Sequence, residues 1–271
     1  MIKKTPERDH RPASRHSSEW RHSLVVLPVL FMLANGLPAS AESNDATLKW
    51  AETYAGVFGG VWRIYSRIVD VDGFANWGHP NSISDFGNTG FVGGGLIGKK
   101  FTLGGAPLRI ELDGTFGDLS GKTKQLDPIG LDETAETSFR WVTNVRAGIE
   151  QTIDETTIFA NGGLAIAPIA NSVTDIDFFP DMPPEVDPDD SFHDSSTEFG
   201  WVIGGGIETP LTAAWSLRFE GSYLDFGGST HKVNRSGNNR CGPGNPRRAC
   251  SYNVENKLGI VRWAIIYRFG Q

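Results

Sequence analysis

The chain has 271 residues, 33 of them glycine, with 39% hydrophobic and 21% charged residues and a formal net charge of −7. Its 16 Phe, 8 Trp and 5 Tyr exceed what disordered chains carry, its glycines follow no three-residue period, and a single apolar run, Leu24 to Ala34, reaches half the roughly 20 residues of a spanning helix. Disorder, a collagen-like rod and a helical membrane protein are excluded, and the glycine excess needs another explanation.

Residues 1–41 read as an export signal. Lys3, Lys4, Arg8, Arg11, Arg15 and Arg21 form a basic lead, Leu24 to Ala34 the apolar core, and Ala39-Ser40-Ala41 a small-x-small cleavage pattern, with cleavage expected near Ala41–Glu42. Pro28 and Gly36-Leu37-Pro38 argue against a buried helix there. The lead is long, so a start codon downstream of Met1 is compatible with it. Residues 42–271 then carry 19 basic and 29 acidic residues, a net charge of −10, which makes nucleic acid an improbable partner.

Eight strand-like segments follow. Those at 52–65 and 88–101 are ambiguous in facing. Leu108, Ile110, Leu112, Gly114 and Phe116 alternate with Arg109, Glu111 and Asp113, and Trp141, Thr143, Val145, Ala147 and Ile149 with Val142, Asn144, Arg146, Gly148 and Glu150. Segments 156–169 and 198–208 are again ambiguous. Trp215, Leu217, Phe219, Gly221 and Tyr223 alternate with Ser216, Arg218, Glu220 and Ser222, and Val261, Trp263, Ile265, Tyr267 and Phe269 with Arg262, Ala264, Ile266 and Arg268. At about 9 to 15 residues each, they exceed the ~5 to 6 of soluble sheets and suit a tilted membrane strand.

The links alternate strictly in length. Leu103-Gly104-Gly105-Ala106, Thr152-Ile153-Asp154-Glu155 and Thr209 to Ala214 are hairpin-sized, whereas 66–87, 118–137, 170–197 and 227–254 are long. An up-and-down membrane barrel places its short turns on one rim and its long loops on the other. The expected fold is therefore all-β, an eight-stranded antiparallel up-and-down transmembrane β-barrel with four long external loops. A soluble lipocalin-like barrel would be apolar inside and polar outside, the reverse of what Arg218, Glu220 and Arg262 require.

Facing follows from cost, because a lipid-facing Arg near the bilayer midplane costs ~2 to 4 kcal/mol. Arg109, Arg146, Arg218, Arg262 and Arg268 then point inward, opposite Glu111, Asp113, Glu150, Glu208 and Glu220. Gly94, Gly98, Gly148, Gly163, Gly204 and Gly206 are candidates to make room beside them. An eight-stranded barrel is just wide enough for side chains to fill. The expectation is a plugged lumen with an ion network, and aromatic girdles that include Trp215, Tyr223, Trp263 and Tyr267.

Three other features suggest chemistry. Gly93-Gly94-Gly95-Leu96-Ile97-Gly98 fits the dinucleotide pattern, but Lys100 replaces the Ser or Thr of a phosphate loop, and the flanks read as strand on both sides. Asp175, Asp177, Asp181, Glu185, Asp187, Asp189, Asp190 and Asp194 make the third long loop acidic. It reads as a solvated, self-repelling segment without the ligand spacing of a metal site, or alternatively as a partner for His231, Lys232, Arg235, Arg240, Arg247 and Arg248 of the last loop. His193-Asp194-Ser195 holds the residue types of a hydrolase, but adjacency scatters the side chains, and His79 and His231 read as isolated. Catalytic, cofactor and metal residues are therefore expected to be absent. Cys241 and Cys250, in an exported chain, are expected to pair as a disulfide.

The run Gly200-Trp201-Val202-Ile203-Gly204-Gly205-Gly206-Ile207-Glu208, followed by Leu211-Thr212, Trp215-Ser216-Leu217-Arg218 and Tyr223-Leu224-Asp225-Phe226-Gly227, resembles a strand hairpin of small Gram-negative outer-membrane barrels, the OmpA-like and opacity-type surface antigens and porin-like barrels of rhizobia. Asn161-Gly162-Gly163-Leu164-Ala165 and Tyr267-Arg268-Phe269 are similar to their fifth and last strands. The sequence departs from the pattern in Gly270-Gln271 after the last aromatic, in its acidic and cysteine-bearing loops, and in having no peptidoglycan-binding domain after the barrel. The resemblance implies outer-membrane location, a non-catalytic structural or adhesive role, and contact with outer-membrane lipid, lipopolysaccharide, the barrel-assembly machinery and host or cell-surface ligands. The alternatives are a small porin-like channel and a barrel that binds a ligand such as haem.

Overall fold

A computed structural model describes residues 48–71, 82–126, 132–177, 185–232 and 251–270. The segment read as an export signal, His79, both cysteines and most of the basic last loop lie outside the described residues. Ten strands follow in chain order: β1 (Leu48–Asp70), β2 (Ser82–Leu103), β3 (Ala106–Gly117), β4 (Leu119–Leu126), β5 (Asp132–Phe139), β6 (Val142–Ile153), β7 (Thr156–Asp177), β8 (Glu185–Pro210), β9 (Trp215–Lys232) and β10 (Ser251–Phe269).

Eight of these strands, in the order β7-β6-β3-β2-β1-β10-β9-β8 and back to β7, close an antiparallel ring. The fold is an eight-stranded up-and-down β-barrel. The turns after β2, β6 and β8 share one rim. Gly104 and Gly105 both take positive φ, 58° and 85°, matching the strand twist of a two-residue hairpin, and Asp154 takes φ 55° at the next one. In the third turn the Trp215 carbonyl accepts from the Leu211 and Thr212 amides at 2.8 and 3.1 Å.

Every second residue of the ring faces outward, and those residues are apolar. Val261, Trp263, Ile265, Tyr267 and Phe269 on β10, Trp215, Leu217, Phe219 and Tyr223 on β9, and Ile110, Leu112 and Phe116 on β3 are all exposed. The run from Val261 to Phe269 is nine residues long, within the ~9 to 11 needed to cross a bilayer at a tilt. Beyond it the same faces become polar, with Lys257 and Glu255 on β10, Asp225 on β9, and Arg67 paired to Asp85 at 2.8 Å on β1 and β2. Trp215 and Tyr267 pack as a tilted pair at the short-turn rim, centroids 4.9 Å apart, and Trp201 meets Tyr223 at the opposite edge, 5.6 Å apart. Trp263, expected in a girdle, instead packs on Phe219 at mid-band.

The strands also run well past the band, up to 26 residues in β8. Much of 66–87, 170–197 and 227–254, expected as loop, continues as ladder, and 118–137 holds the β4–β5 hairpin. The physical reason is that above the membrane the outward face meets water. Asp, Ser and Thr there satisfy a strand, and the apolar alternation weakens to isolated residues such as Phe192.

Above the band the ring divides. The β2–β3 ladder stops at Val92↔Gly117 and the β8–β9 ladder at Trp201↔Asp225. What continues is two four-stranded sheets, β4-β5-β7-β8 and β2-β1-β10-β9. They face each other across an apolar cluster in which Ala135, Val173 and Phe192 of the first sheet meet Ile68, Tyr252, Val254 and Phe86 of the second. The upper part is thus a small β-sandwich with its own core. Below it, Ser66, Asn256, Asn171 and Thr137 form a hydrogen-bonded layer, with Asn256 donating to Asn171 at 3.1 Å. A larger apolar cluster that includes Trp62, Ile64, Val142, Ile169, Leu224, Leu258 and Ile260 fills the upper lumen. The charges occupy the lower half.

Candidate functional site

The lower lumen is an ionic layer assembled from seven strands. On β9, Arg218 lies 2.6 Å from Glu111 of β3 and 2.9 Å from Glu208 of β8. On β6, Arg146 lies 2.5 Å from Glu111 and 2.8 Å from Asp113, and also pairs with Glu220. On β10, Arg262 reaches Glu220 at 3.1 Å and Asp113 at 3.2 Å. Arg109 pairs with Glu150 and lies 3.7 Å from Glu208, and Arg268, nearer the short-turn rim, lies 3.6 Å from Glu208. All ten charged residues singled out from the sequence therefore meet in one network. Arg109, Arg146, Arg218, Glu111, Asp113, Glu208, Glu220 and Arg262 are buried.

Two members escaped the sequence reading. Lys100 of β2 stands 3.5 Å from Glu150, and Glu52 of β1 stands 3.6 Å from Arg268. Both lie on strands whose two faces are almost equally apolar, so alternation alone left their direction open. Counting them, six cations oppose six anions. Aromatic rings complete the layer. The Arg109 guanidinium lies 4.1 Å from the Phe159 centroid and that of Arg262 4.3 Å from Phe58, while the Tyr54 hydroxyl donates to Glu111 at 2.9 Å.

The glycines explain how so much fits. Gly98 lies beneath the Tyr54 ring and Gly94 beneath the Phe58 ring, so a Cβ at either would run into the aromatic. Gly148, Gly163, Gly204 and Gly206 also face inward against neighbouring backbone. By contrast Gly93-Gly94-Gly95-Leu96-Ile97-Gly98, the dinucleotide-like run, sits in the middle of β2 with strand on both sides, and its amides belong to ladders with β1 and β3.

A second polar cluster stands at the seam where β8 and β9 part. His231 of β9 is buried and stacked on Phe192 of β8, centroids 5.3 Å apart and planes 11° from parallel. Its Nδ1 lies 2.9 Å from Asp194 Oδ2, and its Nε2 lies 2.8 Å from Ser229 Oγ. The Ser195 amide donates to Asp194 Oδ1 at 2.8 Å. The hydrogen bond from His231 holds the Asp194 carboxyl below the usual carboxylate range. His231 is therefore not isolated, as its sequence position suggested. The signal that was missed is topological: Asp194 and His231 lie 37 residues apart and meet because both strands outrun the β8–β9 ladder. His193 and Ser195, the neighbours of Asp194, alternate with it along β8 and are exposed, as Asp194 itself is.

Comparison with known proteins places this architecture. A family model described as "Outer membrane protein beta-barrel domain" matches residues 27–239. The 31 kDa outer-membrane immunogenic proteins of Brucella melitensis and Brucella suis are each 30% identical over 142 residues, 51% of this chain and 55% of theirs, so the chain matches about half the length of these relatives. Among solved structures, the outer membrane protein OprG of Pseudomonas aeruginosa aligns with 81% of this chain and 97% of its own at 9% identity and a TM-score of 0.46. Ail of Yersinia pestis aligns at 11% identity and 0.33, covering 81% of this chain and all of its own. A closed ring of eight strands, an outward apolar band and a family match that takes in β1 to β9 together show that the chain belongs to the outer membrane β-barrel protein family.

Proposed function

We propose that the chain is a structural surface protein of the bacterial outer membrane, sealed through its lumen, which stabilises the envelope and makes surface contact through its extramembrane sandwich and external connections. The observation that carries the sealing is the balanced ionic layer, where six cations and six anions with their aromatic partners span the ring and an apolar cluster stands above them. A water-filled channel would leave such side chains hydrated, whereas eight of the twelve are buried and the other four are largely covered. The layer serves as packing and carries no catalytic step.

Surface contact follows from the length of β8 and its neighbours, which lifts polar strand faces well above the bilayer. That the Brucella relatives are named as immunogenic outer-membrane proteins supports a surface-exposed protein. Lipopolysaccharide phosphate is the partner chemistry for Arg63 and Lys257, which stand on the outer face at and just above the upper edge of the apolar band. The barrel-assembly machinery, outer-membrane lipid and host or cell-surface ligands complete the proposed partners. Cleavage of residues 1–41 near Ala41–Glu42 and a Cys241–Cys250 disulfide belong to the same reading.

The test is a deletion strain. Loss of the gene should raise sensitivity to bile salts and to large hydrophobic antibiotics, and the wild-type gene should restore resistance. Unchanged sensitivity together with slowed uptake of small solutes would refute the structural role and favour a channel.

A further inference from the structure

The seam cluster has an arrangement that an envelope scaffold does not require. Ser229 and His231 alternate on one face of β9, so both side chains enter the seam, and the partly exposed serine hydroxyl is 2.8 Å from Nε2. Asp194 comes from the opposite lip and meets Nδ1 at 2.9 Å. With the ring hydrogen on Nδ1, Asp194 accepts it, and Nε2 is left free to accept from the Ser229 hydroxyl. The ring is held by its stack on Phe192, which in turn packs on Tyr252 at 5.0 Å, and the carboxylate is held by the Ser195 amide. Nucleophile, base and orienter are thus each positioned, by residues from three strands. We propose that Ser229, His231 and Asp194 form a serine-hydrolase triad that cleaves carboxylic esters presented at the height of the cell-surface glycan.

Height follows from the strands. Ser229 lies six residues beyond Tyr223, where the apolar band ends. At ~3.3 Å per residue and a tilt of ~40°, it stands about 15 Å above the band, beyond the acyl region and within reach of water and saccharide. A bilayer acyl ester is too deep, so the substrate is an ester on a water-exposed group.

The chemistry balances without a cofactor. Ser229 Oγ attacks the ester carbonyl carbon, its proton passes to His231 Nε2, and the carbonyl π pair moves onto oxygen. Collapse of that oxyanion breaks the bond to the alkoxy group, which leaves with the proton from Nε2 and yields acyl-Ser229 and an alcohol. Water then adds to the acyl carbon with its proton going to Nε2, and Ser229 leaves reprotonated, releasing the acid. Asp194 steadies the imidazolium in both halves. Every second amide of the Gly228–Lys232 segment points away from β10, toward the seam edge where no ladder with β8 forms, which supplies donors for the oxyanion.

The inference goes beyond the structural reading, which stands whether or not the triad is active. It is tested on the full chain refolded in detergent, with a fluorescent fluorophosphonate as probe, p-nitrophenyl acetate as substrate, and heat-modifiable gel mobility as the check of fold. Wild type and Thr230→Ala should label at a single serine, identified as Ser229 by peptide mass. Ser229→Ala should not label, Asp194→Asn should label and turn over ~10²- to 10⁴-fold more slowly, and Asp194→Glu should recover part of that loss. Wild-type labelling no faster than that of Ser229→Ala, adduct on another serine, or full reactivity in Asp194→Asn would overturn the triad and leave the cluster a hydrogen-bonded clasp. The deletion strain complemented with Ser229→Ala keeps the two readings apart, since the structural role predicts restored resistance without the triad.

Discussion

Arg218→Met is the perturbation that probes the ionic layer most sharply. The guanidinium is fully buried, 2.6 Å from Glu111 and 2.9 Å from Glu208, and it lies over the rings of Tyr54 and Phe159. Methionine keeps much of the volume but leaves six anions facing five cations in the lumen. Removing one member of a buried ion pair costs about 3 to 5 kcal/mol, because its partners stay charged and out of water. At a urea slope of ~2 kcal/mol per molar, that lowers the unfolding midpoint by roughly 1.5 to 2.5 M. The assay is urea unfolding in lipid vesicles, followed by loss of the fast-migrating gel band and by tryptophan fluorescence. Glu208→Gln alone should also destabilise, since it leaves Arg109, Lys100 and Arg268 short of a partner. The double variant restores five against five. Its loss should fall short of the summed single losses by about 1 to 3 kcal/mol, the coupling expected of residues in one network. Additivity within ~0.5 kcal/mol would refute the claim that charge balance in the lumen governs stability.

Further predictions separate the layers of the molecule. Gly98→Val should cost ~1 to 3 kcal/mol or block folding, because the side chain enters the Tyr54 ring, whereas Gly95→Ala, whose nearest neighbour is 3.6 Å away, should leave the midpoint unchanged. Phe192→Ala removes a buried ring from the sandwich core and should cost ~3 to 5 kcal/mol locally. Amide protection in 185–200 and 228–232 should then fall while the heat-modifiable gel shift persists. Leu217→Arg should cost ~1 to 2 kcal/mol by placing a cation on the lipid face of β9 between the short-turn rim and mid-band, measurable as a lower urea midpoint in vesicles. The folded Asp194 carboxyl titrates below its unfolded value, so its contribution to closing the seam is present above the ordinary aspartate range and is lost as pH falls through the folded value. Corrected for intrinsic rates, amide protection of 228–232 should drop at acid pH in the wild type and stay flat in Asp194→Asn.

The parts of this molecule that were legible in the sequence are those where environment and period agree. On β3, β6, β9 and β10 lipid demands apolar residues on one face and the lumen accepts charge on the other, so alternation named both the strands and nine of the ten charges that share one layer, Glu208 of β8 being the tenth. On β1 and β2 both faces carry apolar residues, because Tyr54, Phe58 and Leu96 pack inside while Val57, Phe91 and Ile97 meet lipid, and Glu52 and Lys100 went unassigned. Above the band, water replaces lipid. The strand holding Pro188, Asp190 and Ser191 then has the composition of a loop, and the contact from Asp194 to His231 depends on where two ladders end rather than on any local pattern. The apolar upper lumen was missed on β1 for a related reason: Trp62 and Ile64 obey alternation, but Arg63 between them lies on the exposed outer face, so the cost of lipid-facing arginine does not point their side inward.

The proposed sealing requires a lumen that is filled. Planar-bilayer recording on refolded protein, with insertion verified by its heat-modifiable gel shift, tests this most directly. A sealed ionic layer predicts a baseline indistinguishable from that of protein-free bilayers across the voltage range. Steady ohmic steps that scale with the amount of inserted protein would contradict it.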